Sequence, residues 1–273
     1  MRKYIPFFKA GMLEELSYKA SVLIWVLITI LQLACVVFLW VAVYQSATDT
    51  VINGFTFEQV IVYFVMTNIF AFTSLDSPTL HDINTEIKDG TIALSFIKPI
   101  SYRIRFLSRC MGCCCIRMLL FGLPAYVAAY AVFVKLGYMT IGSIGDFILY
   151  ILLFLLCAVF AVAINDTINY ICGVLCFYTT AAWGLNQTKG VVVSFFSGGL
   201  IPLSFFPGNF GKVVEALPFA GLTQNPVYIL TQRVDLATAA GLAAKNIAWF
   251  LVFELLAKLL FMHASKKVTV QGG

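Results

Sequence analysis

The chain has 273 residues, of which 61% are hydrophobic and only 11% carry a charge, with a mean hydropathy of +0.92. An average soluble domain is about 25% charged, so this chain has too few charged side chains to cover a water-soluble globule. Its 25 Phe, 12 Tyr and 4 Trp exclude intrinsic disorder, leaving an all-α polytopic membrane protein. The net charge of +5 is modest, and its placement matters more than its size.

Residues 1–20 interleave Lys3, Lys9, Glu14, Glu15 and Lys19 with Tyr4, Ile5, Phe7, Phe8, Met12, Leu13 and Leu16. That two-faced pattern predicts an amphipathic helix lying along the inner interface. No small-residue cleavage site follows a short apolar core, so a cleavable signal is not expected. A bilayer core needs roughly 20 apolar residues per helix, and six such runs are present. They are Ser21–Tyr44, Phe57–Leu75, Met111–Val134, one opening near Phe147, Val191–Phe206 and Ile247–Met262. The fourth is ambiguous. A single helix from Asp146 to Trp183 would measure over about 50 Å, and Asn165-Asp166-Thr167 interrupts it. Either it runs on beyond the hydrocarbon or it breaks at the polar step. Lys189 offers the better cytoplasmic turn, which favours the long helix.

Fourteen of the eighteen basic residues fall before the first span, between the second and third, at Lys189 or near the C-terminus. The positive-inside rule then places both termini and the basic loop in the cytoplasm. The eight cysteines do not read as a disulfide framework. Cys35, Cys110, Cys157, Cys172 and Cys176 lie in or beside apolar runs, and Cys113-Cys114-Cys115 are contiguous. Reduced thiols inside helices are expected. Cys110, Cys113 and Cys114 share a helix face, but no His or acid stands near enough in sequence to complete a metal site.

Residues 76–106 differ from the rest. Leu80, Ile83 and Ile87 are spaced for a short helix, Gly90 stands at its C-terminal stop, and Pro99 ends the next segment. Glu86-Ile87-x-x-Gly90-x-Ile92, followed by Lys98-Pro99-Ile100, resembles a stretch of type-2 ABC exporter permeases. Ser197-Gly198-Gly199-Leu200-Ile201-Pro202-Leu203-Ser204-Phe205-Phe206-Pro207, then Leu217-Pro218-Phe219 and Asn225-Pro226, is similar to a later segment of the same family. The aromatic–Trp pair usual after the fourth span departs from that pattern, since Trp183 is displaced from Phe177-Tyr178.

The resemblance implies a permease subunit without ATPase activity of its own. No G-x-x-x-x-G-K-[ST] loop is present, so ATP and Mg²⁺ would bind a separate cytoplasmic ABC ATPase. No cofactor, metal or nucleic acid is expected on this chain. In the family the loop between spans two and three docks on the ATPase, which here maps to Leu80, Ile83, Glu86, Ile87, Lys88 and Gly90. A second permease or a copy of this chain would complete the path, with lipids around it, in a bacterial inner membrane.

Four prolines (Pro202, Pro207, Pro218, Pro226) and several glycines crowd residues 198–241. Such breaks survive at membrane depth only where protein or a cavity satisfies the freed backbone. Residues 207–240 therefore read as an extracellular re-entrant region between the last two spans. Phe195, Phe196, Phe205 and Phe206 are expected to form an apolar gate, if the resemblance holds. Of the intramembrane charges, Glu254 and Lys258 are spaced i, i+4 to neutralise each other. Arg117 can reach back to the interface. Asp166 remains, for a cationic substrate or for Arg117.

Two other functional classes are weaker. A secondary transporter driven by an ion gradient would show paired broken helices in two related halves, but the polar breaks cluster in the second half only. A membrane enzyme would need more than His81 and His263, both on cytoplasmic segments.

Overall fold

The computed structural model describes residues 2–17, 19–97, 99–140, 142–179 and 181–267. A 3₁₀ turn (Arg2–Tyr4) leads into α1 (Ile5–Ser17), which is followed by α2 (Lys19–Ser46). A hairpin of β1 (Val51–Ile52) and β2 (Phe55–Thr56) precedes α3 (Phe57–Ser74), α4 (Thr79–Lys88) and α5 (Ile92–Ile97). Next come α6 (Tyr102–Arg117), a π turn (Met118–Gly122), α7 (Leu123–Lys135) and α8 (Ile144–Leu175). The chain continues through α9 (Ala182–Phe196), α10 (Gly208–Ala216), α11 (Gln224–Leu230) and α12 (Leu236–Ala264).

Among the described residues, five helical stretches are long and apolar enough to cross a membrane: Ile24–Ser46, Phe57–Lys88, Tyr102–Lys135, Ile144–Leu175 and Leu236–Ala264. The run expected at Val191–Phe206 is displaced. The helix there is α9, whose 15 residues span about 22 Å, and it ends ten residues earlier than predicted. Gly198 adopts φ +84 and stops it. Residues 197–206 form a loop in which Ser197, Gly198, Pro202 and Leu203 are buried while Leu200 and Ile201 stay exposed: Tyr63 donates to the Gly198 carbonyl at 2.7 Å, and Leu203 N–H donates to Gln224 Oε1 at 2.7 Å. The last helix begins well before Ile247, at an N-cap where Asp235 Oδ2 accepts from the N–H groups of Ala237 and Thr238. Its first turns are rich in Ala and Gly, and so escape a search for strongly apolar runs.

The third span is one path from Tyr102 to Lys135 with a π turn inside it. Pro124 has no N–H and would crowd the carbonyl four residues back. The wider turn, in which Leu123 N–H donates to the Met118 carbonyl, accommodates it. The fourth helix runs unbroken through Asn165-Asp166-Thr167 and so does not break at the polar step, but it ends at Leu175, eight residues short of Trp183. It stands at the centre of the molecule, packed by α12, α4, α11 and α6. Ala158, Ala161 and Ala163 on α8, with Ala239, Ala243 and Ala257 on α12, are buried, and such small side chains allow close helix approach.

The hairpin ahead of α3 carried an unused signal. Asn53 and Gly54 both adopt positive φ (48 and 80), as a two-residue hairpin turn demands. A capping box between Thr56 and Gln59 then starts α3. Four short elements fill the region between α9 and α12: 3₁₀ turns at Leu203–Phe205 and Pro218–Leu222, and the helices α10 and α11. There Asn246 donates to the Gly221 carbonyl at 2.8 Å and accepts from Asn225 at 3.2 Å.

α1 is more than an amphipathic float. It packs on α6 backbone to backbone, because Gly11 faces the Arg109 carbonyl of α6 and Gly112 faces the Phe8 carbonyl of α1. A Cβ on Gly11 would lie 2.2 Å from the Arg109 carbonyl oxygen, and one on Gly112 would lie 2.0 Å from that of Phe8. Gly112→Val should therefore push α1 off α6, at a cost of about 1–3 kcal/mol. Limited proteolysis of the detergent-solubilised chain should then cut α1 faster, whereas Gly190→Ala, which projects into open space, should leave the digest unchanged.

Candidate functional site

The chemistry of this chain concentrates on one row of arginines along α6. The chain enters α6 at Ser101, whose side chain accepts from Ile104 N–H, and Arg103, Arg105, Arg109 and Arg117 follow. Each reaches a different set of neighbours.

Arg103 turns toward α8 and α12. It donates to Asp166, to Glu254 Oε1 at 2.6 and 2.8 Å, and to Thr167 Oγ1 at 2.7 Å, and its guanidinium lies 5.1 Å from the Tyr170 ring centroid. Asp166 also accepts from Ser77 Oγ at 2.8 Å and from Thr79 Oγ1 at the start of α4. Arg105 pairs with Glu86 of α4 at 2.6 Å, and Tyr102 donates to the same carboxylate at 3.0 Å. Arg109 forks, with two of its nitrogens on Glu14 of α1 and the third on Asp82 of α4. Arg117 pairs with Asp76 and with Glu15, both at 3.1 Å. Burial pushes the Glu15 carboxyl up, and the Arg117 guanidinium opposes that rise.

Three expectations change here. Glu254 pairs with Arg103, and Lys258 makes no ion pair among the described residues. The i, i+4 pair is outcompeted because Arg103 offers several donors in a fixed fork. Arg117 does not reach back to the interface, since it is 5% exposed and held by acids from α1 and from the turn after α3. Asp166 has no exposed surface and lines neither of the two clefts described below. Its partner is Arg103, and it binds the helices together instead of facing a substrate.

The six residues expected to couple divide by face. Leu80 and Ile83 are buried, with Ile83 seated over Gly173 of α8, where a Cβ would come within 2.8 Å of its Cδ1. Ile87 is half-buried and Glu86 is taken up by Arg105. Lys88 and Gly90 are exposed, and Gly90 adopts φ +68 as a helix stop requires. His81, Thr85 and Asp89 share that exposed crest. The four aromatics also divide. Phe195 lies 5.1 Å from Phe196 and 5.2 Å from Phe206, while Phe205 turns away to Trp40 at 5.1 Å and Phe55 at 5.7 Å.

A cleft of about 750 Å³ opens beside the arginine row. α1, α4 and the first turns of α9 form its walls, with Trp25 and Trp183 among the lining residues. A second cleft, of about 400 Å³, lies between α2 and α3. Glu15, Trp25, Leu75, Asp76 and Arg117 line both, so the two adjoin. Lys189 faces the larger one and donates to Asn169 Oδ1 at 2.7 Å and Asn186 Oδ1 at 3.1 Å. Sequence reasoning missed Arg103, Asp76 and the roles of Glu14 and Glu15. The adjacent pair Glu14-Glu15 in an otherwise basic N-terminus was the available signal, because a helix merely resting on anionic lipid gains nothing from two neighbouring acids.

The long apolar helices, bound by buried ion pairs at one end, define a multi-pass membrane protein. A family model described as ABC-2 family transporter protein matches residues 30–272, and the chain belongs to that family. No curated protein and no solved structure matches it. ABC-2 membrane proteins generally work with a cytoplasmic ATPase subunit.

Removing Arg103 would leave Asp166 and Glu254 sharing a buried site without a cation. Arg103→Ala should cost about 3–5 kcal/mol, read as a lower midpoint in detergent unfolding. Lys258→Ala, outside the network, should leave that midpoint unchanged.

Proposed function

We propose that this chain is the permease subunit of an ATP-driven exporter, without an ATPase of its own. With a second permease or a copy of itself it forms the translocation path, and a separate cytoplasmic ABC ATPase, which binds ATP and Mg²⁺, drives it. The observation that carries this reading is the mounting of α4. Leu80 and Ile83 root it in the core, Glu86 and Asp82 tie it to α6, and Thr79 ties it to α8, while His81, Thr85, Lys88 and Asp89 form a free crest. A short helix held this firmly passes a push from a docked partner to the spans as a rigid-body movement.

Arg109 extends the coupling to α1, because one guanidinium grips both α1 and α4. In this reading both termini and the 76–106 segment are cytoplasmic, and the membrane is a bacterial inner membrane. The positive-inside rule counts Lys and Arg, not net charge, so pairing of the arginines does not weaken the orientation. α9 acts as the fifth of six spans, with its short length completed by the loop after it. Residues 207–240 form a re-entrant cap at the outer end, and Phe195, Phe196 and Phe206 close the path beneath it. The path runs along α2, α3 and α9, which are among the helices that line the two clefts.

Pull-down of the tagged chain from native membranes should recover an ABC ATPase. Thr85→Trp together with Lys88→Glu on the crest should reduce that recovery roughly tenfold, the scale of losing one good interface anchor, without changing the amount of folded chain. Full transport by the isolated chain under an ion gradient, with no ATPase added, would overturn the proposal and favour a secondary transporter.

A further inference from the structure

α2 and α3 run antiparallel and meet closely near the hairpin that joins them. There Trp40 lies 5.5 Å from Phe64, Tyr44 lies 5.6 Å from Phe57, and the Tyr44 hydroxyl donates to the Phe55 carbonyl at 2.8 Å. Toward their other ends the cleft of about 400 Å³ separates them. α2 lines it from Trp25 to Gln32 and α3 from Asn68 to Leu75, each with residues spaced i, i+3, i+4, i+7, which is one face of a helix. The space is a wedge, shut at the hairpin end and open toward the arginine row.

Gln32 and Asn68 are the lining residues nearest the closed end on their own helices, so two carboxamides mark the apex. Asn68 Nδ2 donates to the Phe64 carbonyl at 2.9 Å, which leaves its oxygen and one hydrogen to spend. Gln32 is exposed and makes no hydrogen bond among the described residues. It stands about 20 Å from either end of α2. An amide turned to acyl chains at that depth forfeits its hydrogen bonds, and Gln32 is instead turned into the wedge.

The charged residues of the wedge lie at its open end, where Arg117 holds both Glu15 and Asp76 at 3.1 Å. None lines the apex. A charged group there would be buried without a counter-ion, and an acyl chain would press its methyl end against two amides. What fits is uncharged, lays an apolar body along Ile28, Ala71 and Phe72, and ends in a group that both donates and accepts hydrogen bonds, as the two carboxamides do.

We propose that the α2–α3 wedge binds an uncharged amphiphile by a terminal amide-like group, held between Gln32 and Asn68 with its apolar body toward Trp25. This deepens the exporter reading, on which it rests for its biological sense, by naming the chemical class of the cargo. Gln32 and Asn68 then set its specificity. The binding itself needs no ATPase.

The test uses the full chain in phosphatidylcholine nanodiscs and ω-bromodecanamide, whose bromine quenches tryptophan on contact. Trp25 stands about 10 Å along α2 from Gln32, so an amide at the apex brings the bromine beside it. Quenching should be saturable and should vanish in Trp25→Phe. The amide should bind roughly tenfold tighter than methyl ω-bromodecanoate, which only accepts, or ω-bromodecyltrimethylammonium, the scale of one or two hydrogen bonds. Gln32→Leu with Asn68→Leu, which suits a membrane helix, should weaken the amide roughly tenfold and leave the ester unchanged. A merely structural role for the two amides would weaken both probes alike and overturn the proposal. So would equal quenching by all three probes, which would make the wedge a slot for acyl chains, or tighter binding of the cation. Amide-selective binding without a recovered ATPase would sink the exporter and leave the site standing, whereas a coupled ATPase without amide selectivity would sink the site alone.

Discussion

The structure depends on the arginines of α6 having carboxylates to meet. Seven of the thirteen acidic residues are committed to four guanidinium groups, and those acids come from α1, the turn after α3, α4, α8 and α12. A buried charge is tolerated only when paired and hydrogen-bonded, so each pair fixes the position of a whole element. Arginine suits this task because its planar fork can address two carboxylates at once. Arg103 does so across α8 and α12, and Arg109 across α1 and α4. Lysine, a point charge on a flexible stem, would hold one neighbour and leave the second carboxylate exposed to the cost of burial.

This changes the meaning of the basic loop. Its arginines do not form a positive surface for a partner to find. They are turned inward and spent on internal pairs, and what α4 presents outward is a small, mixed crest. The two ends of the molecule are consequently built on different physics. The end near α4 is ionic, with clefts between its elements. The far end of α9, about 20 Å along its axis, is aromatic: Phe195, Phe196, Phe206, Phe210 and Phe219 stack edge to face or tilted, while Arg233 lies 3.4 Å over the Phe55 ring and donates to the Gly54 carbonyl. α9 reaches from the larger cleft, at Trp183, Asn186 and Lys189, to the aromatic cluster, at Phe195 and Phe196.

Much of the architecture was legible in the order of residues. Apolar runs located α2, α3, α7 and α8, the Leu80, Ile83, Ile87 spacing located α4, and Gly90 marked its end. What failed has a common cause. Hydropathy measures composition, and composition cannot tell a span from an apolar loop folded against its own helix, so residues 197–206 were taken into the fifth span. It equally missed the start of α12, where Ala and Gly dilute the signal but Asp235 caps the helix. Local spacing also could not choose between partners. Glu254 and Lys258 sit correctly on one face, yet Arg103, 151 residues away, prevails through geometry that exists only after folding. Asp166 looked free for the same reason.

The separation of Arg103 from its two acids along the chain has a consequence for biosynthesis. Asp166 follows it by 63 residues and Glu254 by 151. When α8 enters the membrane its carboxylate already has a cation waiting, so the most costly charge in that helix need never face lipid unpaired. Glu254 comes later, on the last helix, and must find a guanidinium that is already engaged and has a donor to spare. Chains of this kind assemble progressively as they are made. The final helix therefore closes a site that its predecessors have left one carboxylate short, and a chain halted before residue 254 would have neutral ion pairing at Arg103 but no lock between α8 and α12.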